Sequence, residues 1–124
     1  MAGLIEKMLR DLIESKKDGM VKSSPNLRVI WGAPMEDASK QIYGIFMGPD
    51  VICFGRGDGS KPYEIHIPDR EKVKANGPLI IDILRATGME VELFGETIIL
   101  EGMEVPWNAE RMFLSSNNIT VLIK

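Results

Sequence analysis

Gln41-Ile42-Tyr43-Gly44-Ile45-Phe46-Met47-Gly48-Pro49-Asp50-Val51-Ile52-Cys53-Phe54 is the stretch whose reading sets the fold class. It reads either as two strands joined by a turn or, in its first arm, as the end of a helix begun near Glu36. Gly44 and the β-branched and aromatic residues around it favour the strands, and Gly48-Pro49-Asp50 punctuates them with a short connection. Whichever register the turn sets, large apolar side chains fall on both faces of the hairpin. It therefore needs cover on both sides, from helices or from another subunit. Ile42, Tyr43, Ile45, Phe46, Met47, Ile52 and Phe54 are the candidate interface residues, and a homo-oligomer or a protein partner is expected on them.

Toward the C-terminus, a glycine-rich loop from Gly55 to Lys61 leads into a strand where Tyr63, Ile65 and Ile67 alternate with Glu64 and His66. Pro68 ends that strand, and the charged residues from Asp69 to Gly77 read as a loop with at most one helical turn. Pro78 to Thr87 reads as a helix, with Pro78 at its first position, Leu79, Ile80, Ile83 and Leu84 as its apolar stripe and Gly88 as its stop. A hairpin follows. With Gly95 and Glu96 at the centre of a type II′ turn, Val91 opposes Leu100, Glu92 opposes Ile99, Leu93 opposes Ile98 and Phe94 opposes Thr97. That register places Val91, Leu93, Ile98 and Leu100 on one face and the glutamates on the other. The tail is expected as a short third helix near 107–114, a turn at Asn117 and Asn118, and a strand from Ile119 to Ile123.

Toward the N-terminus, apolar residues at 4, 5, 8, 9, 12 and 13 form the stripe of an amphipathic helix over about residues 3–17. Glu6 with Arg10 and Arg10 with Glu14 are spaced for surface ion pairs, and Gly19 offers a left-handed stop. A turn at Ser23-Ser24-Pro25-Asn26, a strand from Leu27 to Trp31 and a break at Gly32-Ala33-Pro34 come next. Together these elements give one α+β domain over residues 1–124. Its mainly antiparallel sheet of hairpins is packed by the N-terminal helix, a second helix near 78–87 and a short third helix near 107–114.

The composition, 44% hydrophobic and 27% charged in 124 residues, is that of an ordinary globular domain able to bury a core without staples. A net charge of −3 makes nucleic acid an unexpected partner. One cysteine and one histidine cannot build a protein-ligated zinc site, so neither metal nor cofactor is expected. Early charges interrupt any signal-like apolar run and no stretch is long enough to span a bilayer. A cytoplasmic protein without a membrane partner is the expectation.

Arg56-Gly57-Asp58-Gly59-Ser60-Lys61 is the one stretch with the look of a motif. Its alternating glycines can bare successive N–H groups, and Arg56 and Lys61 add positive charge, so a small-molecule anion such as a phosphate is a candidate ligand. It departs from both phosphate fingerprints: Ser60 precedes Lys61, Pro62 introduces a strand and no helix follows. A wide hairpin connection using positive-φ glycines is the plainer reading, and the Arg56-Gly57-Asp58 tripeptide is chance in that context. Glu64 and His66 share a strand face that solvent alone explains, and Cys53 sits in an apolar run where cysteine acts as a small hydrophobe. No catalytic triad is legible. Six glutamates between Glu90 and Glu110, with no lysine or arginine among them, give −6 locally and leave +3 for the rest of a −3 chain. The scattered methionines read as core filler, and Trp31 and Trp107 as core residues at element boundaries. The expected function is a non-catalytic binding or regulatory domain acting through self-association or a protein partner; the alternative is a phosphate- or nucleotide-ligand-binding protein, an enzyme among the options, using the glycine-rich loop 55–61.

Overall fold

Helix α1 (Leu4–Ser15) opens the computed structural model, which describes residues 3–22, 24–32, 36–66, 70–95, 97–104, 109–115 and 118–123. Its stripe buries Leu9 fully and packs Ile5, Met8, Leu12 and Ile13 against the core. The stop is Lys16, at φ 53°, rather than Gly19. Gly19 instead opens strand β1 (Gly19–Val21), where an added Cβ would come within 2.8 Å of Leu12 Cδ2, so glycine lets the strand lie against the helix. Glu6 is not a surface residue as its spacing implies; it is 7% exposed and accepts a 3.1 Å hydrogen bond from Arg10.

Strand β2 (Ser24–Trp31) begins before Leu27 and pairs with β1 on one side and β3 (Ile42–Met47) on the other. A single 3₁₀ turn, Ala38–Lys40, precedes β3, and no longer helix lies there among the described residues. Gly48, at φ +60°, and Pro49 form the turn into β4 (Asp50–Arg56), so the two-strand reading of 41–54 holds. Strand β5 (Glu64–His66) adds to β4. Ile67 and Pro68 lie outside the described residues, as do Ala33, Pro34, Glu96, Trp107 and Asn117.

The second helix, α2 (Arg70–Ala86), is longer than the sequence implies, because the charged run that reads as a loop is its first half. Asn76, at φ −127° and ψ 21°, kinks it, and Pro78 then sits in the opening turn of the second segment, where a missing N–H is harmless. Gly88, at φ +91°, ends it as expected. The hairpin of β6 (Val91–Phe94) and β7 (Thr97–Leu100) has the register read from its turn residue for residue, and β8 (Met103–Glu104) completes a small three-stranded sheet.

The third helix expected near 107–114 is not formed over the described residues of that span. Ala109–Ser115 form strand β9, hydrogen-bonded to β5 on one side and to β10 (Asn118–Ile123) on the other. A short apolar run such as Met112-Phe113-Leu114 suits either state, and two flanking strands with unpaired edges decide it. The larger sheet thus runs β1-β2-β3-β4-β5-β9-β10, antiparallel throughout. Leu27, Val29, Tyr43, Ile45, Cys53 and Ile65 line its inner face beneath α1 and α2. Helix α2 also packs on β6, where Gly77 lets Leu93 approach. No described helix is long and apolar enough to cross a membrane.

Candidate interaction surface

Strand alternation divides the expected interface residues into two groups. Tyr43 and Ile45 point inward with Leu27, Val29 and Trp31, and Tyr43 packs at 4.9 Å, ring to ring, on Trp31. Ile52 joins them because β4 carries a bulge there: Ile45 pairs with Cys53 and Phe46 with Val51, leaving Ile52 as the extra, fully buried residue. Met47 packs partly against the same core. These four side chains serve this molecule's interior. Ile42, Phe46 and Phe54 lie on the other face.

Outer-face neighbours follow from the register. Met20 pairs with Arg28, Arg28 with Phe46, Ile30 with Gly44, Gly44 with Phe54, Ile42 with Arg56 and Phe54 with Glu64. Gly44 supplies no side chain; the rings of Phe46 and Phe54 close over it, 2.9 and 3.1 Å from where a Cβ would stand. Phe46 meets Phe54 edge to face at 6.4 Å, Phe54 lies nearly parallel to Tyr63 at 6.4 Å, and His66 meets Phe54 edge-on at 6.1 Å. Arginines flank this row. The Arg28 guanidinium is 6.0 Å from the Phe46 centroid and that of Arg56 is 4.8 Å from the Tyr63 centroid. Tyr63 stands on this side, not with Ile65, because it precedes the regular part of β5. His66 Nε2 is 3.3 Å from Glu64 Oε2 without hydrogen-bond geometry, so the pair is an electrostatic neighbourhood.

Aliphatic side chains surround the rings. Met20 is 58% exposed, Ile30 41% and Ile42 44%, and these are three of the five large hydrophobics most open to solvent among the described residues. Aromatic, Met and Arg side chains on an apolar field are the composition of protein interfaces near their centres.

The loop 55–61, the candidate anion site, makes several contacts within the chain. The Gly57 N–H donates to the Gln41 carbonyl at 2.7 Å and the Ser60 N–H to Asp58 Oδ1 at 2.8 Å, so both amides are engaged within the chain. Those Ser60 hydrogen bonds hold the Asp58 carboxyl below its usual range. Lys61 pairs with Glu101 at 2.5 Å and Arg56 lies over Tyr63. Of the loop's glycines only Gly59 has positive φ, at +83°; Gly55 is needed because the Tyr43 ring occupies the place of its Cβ. Cys53 is fully buried and burial pushes its thiol up to about 12.

A polar groove of about 590 Å³ runs between α1, the end of α2 and β6. Its two arginines and Glu6 are tied within the fold: Arg10 holds Glu6 and donates to the Arg85 carbonyl at 3.2 Å, and Arg85 Nε donates to the Val91 carbonyl at 3.0 Å. Desolvation, then the neighbouring Glu6 carboxylate, raise the Asp82 pKa. No group of three or more His, Cys, Asp or Glu among the described residues is placed to hold a metal. Of the residues that shape the outer face, Met20, Arg28, Ile30 and Tyr63 escaped the sequence reading; a period-two alternation running forward from Leu27 to Trp31 could have found Arg28 and Ile30. Comparison with family models, with curated proteins and with solved structures gives no match.

Proposed function

We propose that the chain is a non-catalytic interaction domain that docks a protein partner, a second copy of itself included, on the outer face of its larger sheet. The observation that carries the reading is the concentration of Met20, Ile30 and Ile42 on that one face, beside rings flanked by Arg28 and Arg56. Solvated antiparallel faces are ordinarily polar, and contiguous apolar ones mark contact sites. Support from the other side comes from the loop 55–61, where the Gly57 and Ser60 amides already donate to Gln41 and Asp58 and Lys61 pairs with Glu101.

Oxidative footprinting at rising protein concentration tests it. Labelling of Met20, Ile30 and Phe46 is expected to fall as assembly proceeds, while Leu4, 67% exposed on α1, labels unchanged as an internal control. Assembly that leaves the labelling of Met20, Ile30 and Phe46 untouched would remove this face from the function.

A further inference from the structure

The small sheet carries a second apolar surface of opposite charge. Val91, Leu93, Ile98 and Leu100 face the core, so alternation turns Glu92, Phe94 and Ile99 outward, and Glu104 stands beside Ile99 on β8. Phe94 is 62% exposed, and Glu92 and Glu104 are exposed on the two strands that flank Ile99. Among the described residues, four of the five most exposed large hydrophobics therefore lie on two faces: Met20, Ile30 and Ile42 beside arginines, and Phe94 beside glutamates.

We infer that these two faces are partners between copies: the Arg28/Arg56 outer face of one molecule takes the Glu92/Phe94/Glu104 face of another. This rests on the docking reading above and names its occupant. Pairing two outer faces would bring four exposed arginines together against only the largely covered Glu64 of each copy, whereas the heterologous pairing sets opposite exposed charges around apolar centres. Both faces are open on the same molecule and belong to different sheets, so the contact is made between molecules. A head-to-tail contact of this kind leaves one unused face at each end, and growth ends only if the rotation closes a ring. Single-stranded nucleic acid, which also stacks on rings beside arginine, fits less well because bases do not call for the exposed aliphatic residues Met20, Ile30 and Ile42.

Light scattering on three proteins tests the pairing: wild type, an outer-face variant (Arg28→Glu with Arg56→Glu) and a small-sheet variant (Glu92→Gln, Glu104→Gln and Phe94→Ser). All five positions are exposed, and circular dichroism checks that the variants fold. Wild-type mass is expected to rise with concentration and fall with added salt. Each variant alone should associate at least about tenfold more weakly. Mixed in equal amounts, the two variants should form a heterodimer that grows no further, because one intact face of each kind remains. If the small-sheet variant still self-associates while the outer-face variant does not, the pairing falls and the docking face stands. If neither variant changes the mass, both fall. A wild type that stays monomeric and salt-indifferent overturns the pairing without any variant, and so does a monomer that binds a single-stranded oligonucleotide through Arg28 and Arg56.

Discussion

Gly55 and Gly59 sit four residues apart and are required for different reasons. A methyl on Gly55 would overlap the Tyr43 ring that crosses from the neighbouring strand, whereas Gly59 meets nothing but holds φ +83°. Gly55→Ala is expected to destabilise by about 2–3 kcal/mol, in the range of overpacked cores, and Gly59→Ala by about 1 kcal/mol. Denaturant unfolding reads the difference, and equal losses would contradict the assigned causes. Asp82 is a carboxyl whose folded pKa is raised, so its charged form opposes folding: stability is lost as pH climbs through the unfolded value of 3.8 toward the folded one. Asp82→Asn should accordingly raise the melting temperature at pH 7 and leave it unchanged near pH 3. A gain that is the same at both pH values would mean that charge is not the cause. Cys53, its thiol pushed up to about 12, is protonated and enclosed at neutral pH, so it should resist alkylation until the protein is unfolded.

At the scale of elements, what is legible is what is local. The β6–β7 hairpin was fixed by agreement between a two-residue turn and a strict alternation, which is why its pairings are those expected. Strand β9 pairs with β5 from about forty-five residues away, a constraint that its own Met112-Phe113-Leu114 run does not display. The first half of α2 is hidden because its sole fully buried described side chain, Val73, lacks neighbours at helical spacing that would make a stripe. The bulge at Ile52 had the same effect on the site. It reverses which residues of β4 face inward, so a list of apolar residues in 41–54 could not separate core from contact surface. Leu9 is the fully buried anchor of α1, and Leu9→Ala should cost about 3 kcal/mol without altering the outer face. Chemical denaturation measures the loss, and oxidative labelling of Met20 at matched concentration should remain as in wild type.

On the scale of the whole molecule, two ties join parts distant in sequence. Lys61 on the loop after β4 meets Glu101 in the turn of the small sheet, but Lys61 is half exposed and the pair is worth at most about 1 kcal/mol. Lys61→Ala should therefore change the unfolding midpoint little. A large loss would reveal packing by the lysine stem rather than charge. The second tie, from the Arg10 side chain to the Arg85 carbonyl, spans 75 positions and closes the last turn of α2 with a group from α1. Its consequence concerns synthesis. The helix that leaves the ribosome first must wait for the helix that supplies its main support, and at cellular elongation rates that interval is roughly 4–15 s. Throughout it the stripe around Leu9 stays open to solvent and to other nascent chains. A slow stretch of translation before residue 85 would lengthen the exposure, and a chaperone that recognises short amphipathic helices would meet α1 before α2 has been made.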